Sequence, residues 1–205
     1  MQRFVVVKNK NILLSHLKIS NIVTEKSKVL DLGCGNGDLM LLLEQNKNVN
    51  IQGVEISEKA IYECVEKGLC VIHSDIDGAL NSYLDNSFDF VILSHSLQQV
   101  KRTDEVLRQC LRIGKKVIIA FPNFAHISLR IGLFFGGRAP VTKCLPSRWN
   151  DTPNIRFLSI KDFEIFCKEK KYKIVEKYFI TNSRFCYICP NLFAQQAIFV
   201  ITKEQ

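Results

Sequence analysis

The chain of 205 residues predicts an α/β fold: a mostly parallel seven-stranded sheet with an antiparallel last strand and helices on both faces. Three observations predict it. Short apolar runs alternate with amphipathic stretches along most of the chain. Residues 29–37 read Val-Leu-Asp-Leu-Gly-Cys-Gly-Asn-Gly, a strand entering three glycines at alternate positions, and a helical pattern follows from Asp38. The last two apolar runs, 172–180 and 197–202, have no helical pattern between them, so they should pair antiparallel.

Each element has its own reason. Residues 11–24 lead as an amphipathic helix. Val29, Leu30 and Leu32 suit a strand buried on both faces. A helix is expected over 38–45, then a second strand over 51–55. Ser57 caps a helix to about 67, with Glu58 and Lys59 in its first turn. A third strand over 71–76 and a fourth over 88–93 follow, with Ser94-His95-Ser96 at the carboxyl end of the fourth. Thr103 is read as the cap of a helix to about 112, and 116–121 as the fifth strand. Ser159 and Asp162 stand near capping-box spacing at the head of a helix over 159–169.

Between the fifth strand and that helix lies an insertion over about 122–158, long for a connection in a compact domain. It begins at the carboxyl end of a strand, so it can lie over a site there. It holds an apolar stretch over 127–135, broken by Arg130. A lid, a substrate pocket, a docking surface or a packing excursion over apolar sheet each fits. Otherwise 1–205 reads as a single domain without repeats or low-complexity tracts.

Composition narrows the function classes. The net charge is +8, from 28 basic and 20 acidic residues, but the lysines are scattered. The densest run, Lys168 to Lys173, ends a predicted helix, where the dipole favours cations. A solvated face accounts for it, so no nucleic-acid partner is expected. Apolar runs such as 117–121 are far too short for a bilayer, and no signal peptide is read, so a cytoplasmic location is expected. Most of the eight cysteines sit in apolar patterns, the usage of small buried hydrophobes in a reducing compartment. Cys186 and Cys189 form a lone C-x-x-C, and without a second pair no metal site is expected.

The candidate site gathers at the strand ends. Gly33, Gly35 and Gly37 permit a tight turn and let a ligand approach bare backbone. The following helix offers unpaired N–H groups. Glu55, eighteen residues beyond Gly37, ends the second strand and can accept hydrogen bonds from both hydroxyls of a ribose. Asp75 ends the third apolar run, where it could also serve as a helix cap, and Asp77-Gly78 could be only a turn.

The glycine spacing differs from the dinucleotide fingerprint G-x-G-x-x-G. The pattern D-x-G-x-G-x-G, with Asp31 inside it, resembles motif I of the class I S-adenosylmethionine-dependent methyltransferases, whose fold is Rossmann-like. That resemblance implies that Asp31 positions the amino-acid end of the cofactor. It implies further that Gly33, Cys34, Gly35 and Gly37 form the loop, with Glu55 and Ile56 at the ribose. Asp75 and Ile76 would meet the adenine, and Ser94 would stand at the end of the fourth strand. The cofactor implied is S-adenosylmethionine or S-adenosylhomocysteine.

Further segments narrow the resemblance: Gly53-Val54-Glu55, Gln98-Gln99-Val100, Phe121-Pro122-Asn123-Phe124, Pro140-Val141-Thr142-Lys143, residues 149–155 and Pro190-Asn191-Leu192-Phe193-Ala194. Together they resemble the methionine-biosynthesis MetW family over about 25–202. What this implies is a methyltransferase-like protein that supports or regulates homoserine O-acyltransferase. The alternative is an active methyltransferase acting on a small molecule, which needs little beyond in-line placement of the reacting atoms. Two positions depart from the family pattern: His95 stands where a glutamine is expected, and Asn36 where aspartate is frequent. His95 could serve as a base or merely line the pocket.

Overall fold

In the computed structural model, which describes residues 10–139, 141–142 and 145–204, the strands form one eight-stranded sheet. β1 (Lys28–Leu32) pairs in parallel with β2 (Asn50–Glu55), and β2 with β3 (Val71–His73). On the other side of β1 come β4 (Phe88–Ser94) and β5 (Gly114–Pro122), also parallel. The chain then runs through β6 (Tyr172–Thr181), β7 (Arg184–Phe185) and β8 (Gln196–Lys203). β8 inserts antiparallel between β5 and β6. The order is β3-β2-β1-β4-β5-β8-β6-β7. The expected mixed sheet is present, and β7 is an addition to it. Two residues folding back on β6 are too few for periodicity to reveal.

Alternation along the strands sorts the core into two clusters. Val29, Phe90, Ile92, Ala120 and Ile198 face one side, against Ile19 of α1 (Lys10–Ile22), Val23 just beyond it, Met40 of α2 (Asp38–Lys47) and Cys64 of α3 (Glu58–Glu66). Leu30, Leu32, Val91, Leu93 and Phe121 face the other. There they meet Leu107 of a helix over Thr103–Ile113 and Phe163 of one over Ile160–Glu169. Helices therefore cover both faces, as the alternating pattern requires.

Two expectations are corrected. The third strand stops at His73, and Asp75 caps a short helix, α4 (Ile76–Ala79), accepting from the Asp77 amide at 3.2 Å. Thr103 is not a cap but the first residue of α5 (Thr103–Ile113), with Arg102 at the cap position. The Asp77 carboxylate accepts from the amides of Lys101 (3.1 Å) and Arg102 (3.0 Å), fixing the backbone just before the helix, while the cap position itself makes no side-chain cap bond.

The insertion contributes α6 (Ile127–Gly136), and its exit leads to α7 (Ile160–Glu169). Ser159 accepts from the Asp162 amide while Asp162 accepts from that of Ser159, the expected capping box. Ser159→Ala should cost about 1 kcal/mol in denaturant unfolding; an unchanged midpoint would show that the cap is redundant. The short α8 (Pro190–Phe193) precedes β8. Cys34, Cys64, Cys110, Cys167 and Cys186 are buried free thiols, and Cys70 and Cys189 are exposed. Among the described residues no helix is long and apolar enough to cross a membrane. Pro140, Lys143 and residues 1–9 lie outside the described residues.

Candidate functional site

The parallel strands β1, β2 and β4 end along one edge, and the loops leaving them line a cavity of about 450 Å³. Six of the ten predicted site residues line it: Gly33, Gly35, Glu55, Ile56, Asp75 and Ile76. The turn after β1 brings the backbone there. Gly35 has φ +55°, where L side chains are strained, and a Cβ built on it meets no atom within 4 Å. The loop thus presents bare backbone to open space. Gly37 does a different job, because a Cβ there would stand 2.9 Å from Cys64 Sγ, so the glycine lets α2 close on α3.

Glu55 ties the loop to β2. Its Oε2 accepts from the Gly35 amide at 2.8 Å, and its Oε1 from the amides of Ile56 and Ser57, each at 2.9 Å. A carboxylate has about four lone-pair sites, so Oε2, with one bond, keeps one free, on a residue that lines the cavity. Ile56 lies beside it 62% exposed, an apolar side chain with no protein neighbour to cover it, and Ile76 lies half-buried on the same wall. The exposed Asp75 also lines that wall.

Four predicted residues are placed otherwise. Asp31 is buried beneath the loop and its Oδ1 has no hydrogen-bond partner among the described residues. Burial, then the nearby Glu55 charge, raises its carboxyl to about 7. Cys34 turns into the core near Gly53, Gly37 packs against α3, and Ser94, with a buried hydroxyl, does not line the cavity.

Several lining residues went unforeseen as site residues. Ser96 closes the turn by donating to the Leu32 carbonyl at 2.6 Å. Asp77, read from the sequence as part of a simple turn, holds the Lys101–Arg102 backbone against α4. Gln99, Val100 and Lys101 complete that side. The insertion reaches the same loop: the amides of Ile155 (2.9 Å) and Arg156 (3.0 Å) both donate to the Gln98 carbonyl. His95 takes a left-handed φ of +60° and lines the cavity, with Nε2 buried and unpartnered among the described residues. Burial, then the neighbouring His16, lowers its pKa to about 4. His126 pairs with Ser128 at 2.7 Å at the head of α6.

These groups set an acid limit on stability. Burial also lowers His16 to about 4, against an opposing pull from Asp38. Unfolding returns both histidines to 6.5 and Asp31 to 3.8. Between those limits unfolding binds one proton at each histidine and releases one from Asp31, a net uptake of one. Stability should therefore fall with pH at about 1.4 kcal/mol per pH unit from about 6.5 to 4. Urea unfolding at stepped pH checks this; a midpoint that held or rose on acidification would contradict it.

A family model described as "Methionine biosynthesis protein MetW" matches residues 14–201. The chain belongs to the MetW family. It is 33% identical over 199 residues to the "Bifunctional methionine biosynthesis protein MetXA/MetW" of Rhodopirellula baltica, a match covering 91% of this chain and 32% of that protein. The chain thus spans about a third of the length of this curated relative. Among solved structures it resembles a SAM-dependent methyltransferase from Archaeoglobus fulgidus, with a TM-score of 0.70 at 19% identity and 95% of each chain covered. It also resembles the cyclase SpnF, with a TM-score of 0.65 at 15% identity, covering 94% of this chain and 81% of that one. A MetW-family chain therefore has the fold of the SAM-dependent methyltransferases, and a fold that also serves a cyclase does not assign the reaction.

Proposed function

We propose that this chain binds S-adenosylmethionine or S-adenosylhomocysteine at the edge of β1, β2 and β4, and in that state supports or regulates a homoserine O-acyltransferase. The observation that carries the reading is the glycine loop, open at Gly35 and tied by its amide to Glu55, whose carboxylate keeps a free acceptor site on the cavity wall. Glu55 would accept from a ribose hydroxyl. Ile56 and Ile76 would hold the adenine ring by apolar contact, with Asp75 at its amino group. The loop of Gly33, Cys34, Gly35 and Gly37 would follow the cofactor backbone. Asp31 would hold the positive end of the amino-acid tail, its unpartnered oxygen gaining a charged donor. Ser94 would stand at the end of β4 beside the cofactor. The cofactor would supply an activated methyl group or a signal of methionine status.

The acyltransferase would dock on the insertion. Phe134 (82%), Phe135 (80%) and Trp149 (81%) are exposed there, beyond what a lone surface residue explains. The fused MetXA/MetW relative supports such a partnership. Cofactor binding can tune the partner only if the cofactor prefers one state of the pair. Co-elution of the chain with a homoserine O-acyltransferase, and assay of acyl transfer with and without S-adenosylmethionine, tests this. A complex with altered activity is expected; no complex and unchanged activity would sink the regulatory reading. Methyl transfer to a small molecule would use the same pocket, and release of S-adenosylhomocysteine without the partner would favour that alternative.

A further inference from the structure

The insertion holds a second cavity, of about 410 Å³, that shares no lining residue with the one at the strand ends. Its floor is Leu129 and Leu145, both buried. One wall is Phe124 against Phe157, edge to face with ring centroids 5.0 Å apart. Phe157 is nevertheless 73% exposed, and Leu133 of α6 and Trp149, which also line the hollow, are 57% and 81% exposed. Large apolar side chains thus gather round one space that no other described residue covers. Thr152 and Asn154 continue the lining, and just beyond them the amides of Ile155 and Arg156 hold the Gln98 carbonyl. The segment that walls this cavity is therefore bonded to the loop that walls the other.

The charge around it has one sign. Arg130 and Arg148 line the cavity, and no aspartate or glutamate does. Arg130 donates from Nε to the Ala125 carbonyl at 2.6 Å, which leaves its two terminal nitrogens free for another partner. Neither guanidinium forms an ion pair with a carboxylate among the described residues. Over 122–158 the sequence has five basic residues and one acid, Asp151. A guanidinium is always charged in a protein and grips a carboxylate with two parallel N–H donors. A second copy of this chain would bring the same basic excess to the same place, so the charge calls for an anion rather than for self-association.

We propose that this cavity binds a free aliphatic carboxylate, its chain lying over Leu129 and Leu145 between Trp149 and the Phe124–Phe157 pair and its carboxylate held by Arg130 and Arg148. A lining that is mostly apolar, with a few polar groups to fix orientation, is the usual make-up of a small-molecule site. The volume sets the length. At ~30 Å³ for each heavy atom the cavity admits about a dozen, the size of an acid of about eight to ten carbons. Phe134 and Phe135 do not line it, so the site neither needs nor excludes an acyltransferase on α6. It likewise stands apart from the cofactor reading, since the two cavities have separate linings.

Trp149 is the single tryptophan of the chain, so its fluorescence reports this cavity directly. The protein alone, without cofactor or partner, is titrated with butanoate, hexanoate, octanoate and decanoate below their micelle thresholds, and with octanol and octylamine. Octanoate should change the emission saturably, and affinity should rise about tenfold for each two carbons from butanoate to octanoate. Octanol should bind about tenfold more weakly, and octylamine should give no saturable response. The double variant Arg130→Gln, Arg148→Gln should weaken octanoate about tenfold and leave octanol unchanged. Leu133→Ala, at an exposed position, should weaken both about threefold. No saturable response to any acid, octanoate bound no more tightly than octanol or octylamine, or octanoate binding undiminished in the arginine variant would overturn the proposal. Displacement of octanoate by S-adenosylhomocysteine would also overturn it, placing the acid in the cofactor cavity. So would emission that responds only to an added homoserine O-acyltransferase, which would give the cavity to the protein partner. Because the titration uses neither cofactor nor partner, its failure leaves the proposed function standing, and failure of S-adenosylhomocysteine to bind leaves this site standing.

Discussion

Glu55→Ala is expected to weaken S-adenosylhomocysteine binding at least a hundredfold. Two losses combine. The ribose loses an ionised acceptor, a hydrogen bond to a charged group being worth about 1.5–3 kcal/mol. The amides of Gly35, Ile56 and Ser57 also lose their shared partner, so the loop is no longer held in its binding shape. Together these exceed about 3 kcal/mol, which is about a hundredfold in affinity. Glu55→Gln keeps the shape and one acceptor oxygen, so its loss should be intermediate. Calorimetric titration of both variants measures this, and wild-type affinity in Glu55→Ala would show that the ribose sits elsewhere.

Phe121→Ala should cost about 3–5 kcal/mol of folding stability. The ring lies fully buried on β5, parallel to Phe199 at 5.8 Å and tilted against Phe163 at 5.3 Å. Truncation removes a contact shared by β5, β8 and α7, and the rigid sheet cannot collapse to fill the gap. A melting temperature about 10 °C lower is expected for a chain of this size. Phe134→Ala, at an exposed position, should change stability by less than about 0.5 kcal/mol while weakening the acyltransferase complex. Equal losses of stability in the two variants would contradict the assignment of core and docking surface.

How much of this was legible in the sequence depended on how local the signal was. The glycine loop, Glu55 and the capping box at Ser159 are written in adjacent residues, and the structure places all three where local chemistry puts them. Asp31 was legible as part of the motif, but not its burial, because which strand face carries a polar residue depends on the partner strands. The start of α5 was misread by one residue: Thr103 opens the helix, and the segment before it is held by Asp77, 25 residues before Arg102 in the chain. His95 drew notice from the sequence as a departure from the family pattern, and its left-handed backbone shows that the loop after β4 turns sharply there.

Calorimetric titration of the purified wild-type chain with S-adenosylhomocysteine decides whether the pocket at the ends of β1, β2 and β4 takes the cofactor. Saturable binding of one molecule per chain is expected. Binding should weaken as pH falls below about 7, because Asp31 must give up its proton to meet the charged tail. No binding would contradict the cofactor site itself, leaving the fold and the family as they stand.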